Sequence, residues 1–526
     1  MKVVPKILIV GGGYAGFYTA LKLEKHLRRG EAEVTVVDPL PYMTYQPFLP
    51  EVAAGSVEPR HAVVSIRKHL KSTEVISARV TAIDHATKTA TITPELGEPW
   101  QFEYDIVVVT AGAITRTFPI PGIAENAYGL KTIEEATAIR DRVTANFERA
   151  SALPAGPERD RLLTFTVVGG GFAGIEVFGE LRSLASSLLK HYPQLGFEDV
   201  HFHLIEAMGR IMPEVSLKTS QWVIKNLAQR GAQIHLDTQL SSAVDGKIET
   251  STGLVFESDT IIWTAGVMAH PVLRNTDLPI EERGRLRLGA DLRARTEDGD
   301  VVADAWGAGD VSAVPDLSGG GVAGFCVPNA QHAVRQGKLL AKNLVGSLRG
   351  DEPRDYFHKN AGAVAGIGLG TGVFQAGRIA VKGFVAWGMH RGYHGLAMPM
   401  WERKIRVFAG WFVQAITGRD IVGIEARNEP RAVFEQYAAR PKTTPRQAPA
   451  APAAAGTEAK SAAKAAPKAA AKSTAPKSTA VKTGTAKTGA AKSTAAKTGT
   501  AKAPAAKTTE KAAAEPAQSE ATTASQ

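Results

Sequence analysis

Two glycine spacings are the residues of this chain best suited to hold a reactive group: Gly11, Gly13 and Gly16 in KILIVGGGYAGFYTALKL, and Gly169, Gly171 and Gly174 in TFTVVGGGFAGIEVFGEL. In the pattern G-x-G-x-x-G the first glycine makes a tight turn. The second lets a pyrophosphate approach the backbone, and the third lets a helix pack closely on a strand. Each copy follows an apolar, β-branched run and opens a helix, predicted in the first copy from about Tyr14 to Leu27, whose N-terminus attracts phosphate. Each is also followed by a strand ending in an acid, EVTVVD at Asp38 and HFHLIE at Glu206. A carboxylate there can accept both ribose hydroxyls of an adenosine. Glu206 favours NADH, because the 2′-phosphate of NADPH would meet a like charge; Arg210, four residues on, acts against that preference. Glycine-rich turns also occur merely to pack a helix on a sheet, but a strand, a helix and an acid in both copies point to two dinucleotide sites.

The elements that must position these loops alternate between strand and helix, which gives an α/β chain. Two further strands, YDIVVVTAGA and DTIIWTAGV, each leave through Thr-Ala-Gly, at Gly112 and Gly266, and either could be an ordinary strand exit. A later strand, VVADAWGAGDVSAVPD, delivers Gly309 and Asp310. Over about residues 6–350 the sequence resembles the two-dinucleotide flavoprotein reductases. The resemblance implies two Rossmann-like domains, FAD on the first and NAD(P)H on the second, with the second inserted in the first. It also implies that Asp310 touches the ribityl and pyrophosphate part of FAD. The expected division is 1–125 and 291–350 for the FAD domain, 126–290 for the NAD(P)H domain, 351–435 for a C-terminal segment, and 436–526 for a tail.

Cys326 is the only cysteine, so an internal disulfide is excluded and a reducing compartment is compatible. Disulfide reductases pass electrons to a cysteine pair, and sulfide-oxidising relatives need more than one thiol, so here electrons are expected to leave the flavin directly for a small acceptor. The stretch VPNAQHAVRQGKLLAKNL is similar to the Ala-Gln helix of the type II NADH dehydrogenases. That resemblance places Gln331 at a quinone site; a helix-surface or flavin-packing amide is the other reading. The family's second glutamine, four residues on, is replaced by Arg335, with Gln336 next. Tyr45, Gln46 and Pro47 match the family's stretch under the flavin. Glu176 matches a glutamate near the nicotinamide and isoalloxazine rings, which implies that it positions NADH or relays protons. A helix-surface or capping carboxylate is the other reading for Glu176, and Glu180 one turn later suits it.

The resemblance continues through YFHKNAGAVAGIG, GFVAWGMHRGYHGL and WERKIRVFAGWFVQAITGRD, which implies a membrane-surface segment that opens a quinone tunnel. Trp401, Ile405, Phe408, Phe412 and Ala415 recur at helical spacing, with Arg403 and Arg406 opposite. From Arg378 to Ile416 there are six Lys or Arg, and Glu402 is the only acid. An aromatic face with a basic flank over residues 378–416 suits an anionic membrane surface. A helix docked on the body and a contact with a second copy of the chain are the other readings. The stretch from Asn360 to Gly377 is free of charge but holds six glycines, which makes it a poor transmembrane helix. Met1 leads at once into a core strand, so no secretory leader is expected.

From Pro441 to Gln526 the chain is almost entirely Ala, Lys, Thr, Pro, Ser and Gly, too poor in apolar bulk to offset the entropy of ordering, and is expected to be disordered. Its 13 Lys and one Arg against four Glu account for the whole net charge of +10, so residues 1–440 are neutral overall. From Lys472 to Lys507 a lysine recurs every five residues, a period that fits neither helix nor strand. An extended charged polymer is the simpler reading, and a salt-sensitive contact with anionic lipid or nucleic acid the sharper one.

Together these features predict an FAD-dependent enzyme that carries two electrons from NADH to a membrane quinone, peripheral on the cytoplasmic face of the cell membrane and without proton pumping. A soluble NAD(P)H-dependent reductase serving a redox protein is the rival enzyme. A flavoprotein scaffold working through its basic tail is the rival of another class.

Overall fold

The first sheet of the computed structural model has eight strands in the order Arg293–Arg295, Val301–Gly307, Ile106–Val109, Lys6–Val10, Glu33–Asp38, Glu74–Asp84, Thr89–Pro94 and Trp100–Glu103. The structure describes residues 4–360 and 362–423 with Arg431 and Glu435, so the predicted tail at 436–526 lies outside the described residues. The five strands from Val301–Gly307 to Glu74–Asp84 run parallel, with Ile7 opposite Val34 and Ile106, and Ala305 opposite Val107. Ile7 to Val10 and Val107 to Val109 are buried. Continuous apolar runs of this kind suit a parallel sheet covered on both faces, and each large buried side chain contributes about 2 kcal/mol relative to exposure.

A second sheet lies between these segments in sequence. Its order is Ala127–Tyr128, Thr260–Trp263, Thr164–Val168, His201–Ile205 and Ala232–His235, all parallel. The first sheet resumes only with Arg293–Arg295 and Val301–Gly307, so one nucleotide fold is inserted in the other. The two Thr-Ala-Gly exits are not separate loop exits: Ala113–Thr115 and Val267–Ala269 pair antiparallel, with Ala113 opposite Ala269, and form a ribbon joining the folds. The long helix Ile133–Ser151 begins at a capping box in which Thr132 Oγ1 accepts the Glu135 N–H and the Glu135 carboxylate accepts the Thr132 N–H.

After the last strand of the first sheet, the helix Ala330–Leu348 crosses the first loop helix, Tyr14–His26. The crossing requires a glycine, since a Cβ on Gly337 would lie 2.4 Å from the Ala15 carbonyl oxygen. Thr19 Oγ1 fastens it by donating to Ala15 O at 2.7 Å and Gly337 O at 3.1 Å. A three-stranded antiparallel sheet follows, Ala363–Gly366, Gly372–Ala376 and Ile379–Gly383. The helices Phe384–Ala397 and Trp401–Thr417 complete the described body.

The apolar stripe of Trp401–Thr417 is not docked on the body. Trp401, Ile405, Phe412 and Ile416 are 76, 64, 67 and 70 % exposed, while Val407 and the Trp411 indole face inward. Among the described residues no helix is long and apolar enough to cross a membrane.

Candidate active site

The two glycine loops have the same construction. Gly11 and Gly169 have φ of +98° and +110°, a conformation that a side chain strains. A Cβ on Gly16 or Gly174 would lie 1.8 or 1.9 Å from the carbonyl oxygen of Gly11 or Gly169, so these third glycines serve the packing of helix on loop. A Cβ on Gly13 or Gly171 would meet nothing within 4 Å, which leaves room for a pyrophosphate against the backbone. Thr110 Oγ1 donates to Val10 O and Gly11 O, and Thr264 Oγ1 to Val168 O and Gly169 O.

The two acids are held alike. Asp38 Oδ2 accepts the Gly12 N–H at 2.6 Å and Oδ1 that of Leu40 at 2.7 Å. Glu206 Oε2 accepts the Gly170 N–H at 2.5 Å and Oε1 that of Met208 at 2.8 Å. One lone pair of each oxygen is thereby engaged and the other is left for a ribose hydroxyl. Burial pushes the Asp38 carboxyl above its usual range, against the pull of the Leu40 and Gly12 N–H groups.

Beside the first loop is an open cleft. Gly11, Gly13, Asp38, Gln46, Gly112, Gly309 and Asp310 all line it, with Tyr14, Lys131 and Ala330. Burial raises Asp310, and the Lys131 cation opposes that rise. Lys131, in an ordinary loop before a capped helix, carried no sequence signal. The cleft's glycine loop, its ribose-directed acid and the helix N-terminus above it fit a dinucleotide.

Gln331 takes a different position from its neighbours. Ala330 and Ala333 line the cleft, whereas Arg335 Nη1 binds back onto the Gln331 carbonyl at 3.0 Å and its side-chain oxygen at 3.5 Å. Gln336 is not a second acceptor-site amide. It is buried, and its Oε1 accepts the Gly309 N–H at 2.8 Å, so it fixes the Gly309–Asp310 turn.

Glu176 is no surface carboxylate. Its Oε1 lies 3.1 Å from His390 Nε2 and accepts the Gly366 N–H at 3.3 Å. Glu180, one turn later on the same helix, is buried and paired with Arg419 at 3.3 Å, with Ser56 Oγ donating at the same distance. Glu51, also buried, accepts the Trp411 indole N–H at 3.0 Å and lies 3.4 Å from Arg391 Nη2. Burial works against a charge on His390, but the Glu176 carboxylate beside it, with Glu51 and Glu180, raises it above its ordinary value. His394 is held well below, by burial and then by His390.

The sequence matches the family described as pyridine nucleotide-disulphide oxidoreductase over residues 5–337. It is 30% identical over 434 residues to the type II NADH:quinone oxidoreductase Ndh of Mycobacterium tuberculosis, covering 79% of this chain and 89% of that protein. The chain belongs to the pyridine nucleotide-disulphide oxidoreductase family, in its type II NADH dehydrogenase branch. A probable NADH dehydrogenase of Dictyostelium discoideum is 27% identical over 425 residues, covering 79% of this chain and 90% of that one. NDH2 from Plasmodium falciparum, solved in complex with NADH, shares the fold with a TM-score of 0.72 at 18% identity, covering 80% of this chain and all of that one.

The carboxylate that ends the strand after the second loop, Glu206, is the residue expected to select the nicotinamide. Arg210 does not neutralise Glu206: its Nη2 donates to the carbonyls of Val215 at 2.5 Å and Met212 at 3.4 Å. Glu206→Gln is therefore expected to raise the ratio of kcat/KM for NADPH over NADH about tenfold, corresponding to ~1.4 kcal/mol of like-charge repulsion removed. An unchanged ratio in steady-state kinetics would show that Glu206 does not discriminate.

Proposed function

We propose that this chain takes two electrons from NADH, passes them through FAD to a quinone held at the membrane surface, and moves no proton across that membrane. The observation that carries the reading is the pair of matched glycine loops joined by the ribbon Ala113–Thr115 and Val267–Ala269, in a chain whose single cysteine, buried Cys326, has no thiol to pair with. Burial pushes the Cys326 thiol up to about 11, so it is not a thiolate near neutral pH. FAD is the cofactor of the first loop and cleft, held by Gly11, Gly13, Asp38, Gln46, Gly112, Gly309 and Asp310. NADH is the donor at Gly169, Gly171, Gly174, Glu206 and Gly266. The bound flavin supplies the two-electron chemistry.

The chain's own residues align donor and acceptor. The ribbon fixes one nucleotide fold against the other, and Gln331, on the first turn of its helix, stands beside the Ala330 end of the cleft as the candidate quinone contact. The boundaries near residues 126 and 290 are supported by Ala127–Tyr128 joining the second sheet and Arg293–Arg295 the first. The test is anaerobic stopped flow on the purified holoenzyme. NADH should bleach the flavin, and menaquinone or ubiquinone should restore it; failure of both quinones sinks the reading.

The exposed stripe of Trp401–Thr417 and its basic flank support peripheral attachment through residues 378–416, on the cytoplasmic face where NADH is available. Phe412→Asp combined with Ile416→Asp alters two exposed side chains worth ~3 kcal/mol of buried apolar area, so vesicle affinity should fall about 100-fold. Co-sedimentation with anionic vesicles checks this, with NADH:ferricyanide turnover as the control for an intact flavin site.

A further inference from the structure

We propose that the flavin-binding half of the chain carries a membrane contact of its own, the basic residues 59–71, which take the phosphates of anionic phospholipids beside the exposed stripe of Trp401–Thr417. This contact presupposes the reading of that stripe as a membrane face. It adds a lipid preference and a fixed orientation, which an apolar helix alone does not supply.

Residues 59–71, PRHAVVSIRKHLK, hold four Lys or Arg and no acid, and residues 401–406, WERKIR, hold three with Glu402 as the one acid. Because residues 1–440 are neutral overall, this excess of positive charge is local. The fold brings the two stretches together. Arg403 Nη1 donates to the Arg60 carbonyl at 2.6 Å. Glu402 pairs with Lys68 and lies 3.7 Å from His69 Nε2 and 3.6 Å from Arg403 Nε, so one carboxylate is shared by three basic side chains. Among the described residues Arg60, Arg67, Lys71 and Arg406 pair with no carboxylate, and all four are exposed. The half-buried His61 registers the resulting field: burial lowers it, Glu58 opposes that, and Arg406 and Arg403 lower it further.

The partner follows from what stands beside the charge. Trp401 and Ile405 are neighbours of Glu402, Arg403 and Arg406 on one helix, and both are largely exposed. A nucleic acid or an acidic protein segment would neutralise the cations but leave that apolar flank in water. An anionic bilayer meets both, because its phosphates lie directly over hydrocarbon at the depth an interfacial helix reaches. The contact also bears on the cleft. Val63–Ser65, at the centre of residues 59–71, pairs antiparallel with Tyr42–Thr44, with Val64 opposite Met43, and Tyr42, Met43 and Thr44 line the cleft. Lipid bound at residues 59–71 therefore holds the cleft one strand away from the bilayer that supplies the quinone.

The test is co-sedimentation of the full chain with vesicles of phosphatidylcholine alone and with vesicles containing about one-third phosphatidylglycerol. Arg67→Gln combined with Lys71→Gln removes two exposed charges at about fivefold each, so affinity for the anionic vesicles should fall about 25-fold and affinity for the neutral ones by no more than about twofold. Arg67→Lys combined with Lys71→Arg keeps both charges and should bind as wild type does. Residues 441–526 are common to every variant, so differences between variants report on residues 59–71. NADH:ferricyanide turnover checks the flavin site, and should the double glutamine variant lose it, Arg67→Gln alone decides, with a loss of about fivefold on anionic vesicles. Unchanged binding of the glutamine variant to anionic vesicles, or an equal loss on both kinds of vesicle, overturns the proposal. So does binding to polyuridylate that the glutamine substitutions abolish while vesicle binding persists. Wild-type protein that sediments with neither vesicle overturns the membrane reading of Trp401–Thr417 instead.

Discussion

Glu176→Gln is expected to slow quinone reoxidation about 100-fold while the protein keeps its FAD, because general acid–base groups contribute on that scale. The substitution keeps the shape. Glutamine Oε1 can still accept the Gly366 N–H, so the change removes charge with little loss of packing. The lost charge faces His390, which is buried among Glu51, Glu180 and Arg391 and draws much of its protonation from Glu176. The sign of the pH effect follows. A histidine raised in the folded state adds stability that is full below its unfolded value near 6.5 and is lost as pH rises through its raised folded value. In Glu176→Gln that contribution shrinks, so Tm should fall most on the acid side and less above the folded His390 value. Unchanged bleaching, reoxidation and Tm-against-pH curves together would remove Glu176 from the mechanism.

Gly171→Ala is expected to weaken NADH by about 100-fold, or ~3 kcal/mol, without disturbing the fold. A Cβ there meets no protein atom within 4 Å, yet it stands where the glycine spacing expects a pyrophosphate to come closest. Gly174→Ala should act differently. Its Cβ would lie 1.9 Å from the Gly169 oxygen, so the loop helix itself must shift, and thermal stability should fall along with NADH affinity. Titration of NADH against the oxidised holoenzyme, with Tm measured on the same samples, separates the two. Equal losses of Tm would mean that the middle glycine also serves packing. The same contrast holds for Gly13 and Gly16, read there as FAD retention.

Both loops, their acids and the Gly309–Asp310 turn could be read from the sequence, because each is a local pattern whose spacing states its own geometry. The ribbon of Ala113–Thr115 and Val267–Ala269 could not, since its two halves carry no complementary mark and meet only once both sheets are built. The buried ionisable cluster was hidden for the same reason. Glu51, Glu180, His390 and Arg419 come from three separate segments, and no one of them shows in its local sequence that it will be buried with a partner. Glu176 and Glu180 both lie on the helix face that receives the C-terminal segment, so neither is the surface carboxylate that their spacing also allows. At Gln336 the sequence shows only a near-miss of the quinone-site spacing, while its oxygen is needed by the Gly309 N–H. Lys131 carries no local signal, because a lysine before a capped helix is ordinarily solvated.

Trp411 faces the opposite way from its neighbour Phe412. Its indole N–H closes on Glu51 while the adjoining side chains of the same helix remain open to the outside. The helix that offers an apolar face outward therefore also seals, with its other face, a compartment of low dielectric around Glu51 and Arg391. Cutting the chain before Trp401 would not yield a detached version of the same protein: water would reach carboxylates and guanidinium groups whose mutual attraction depends on its exclusion, and the protonation pattern they impose would dissolve with it.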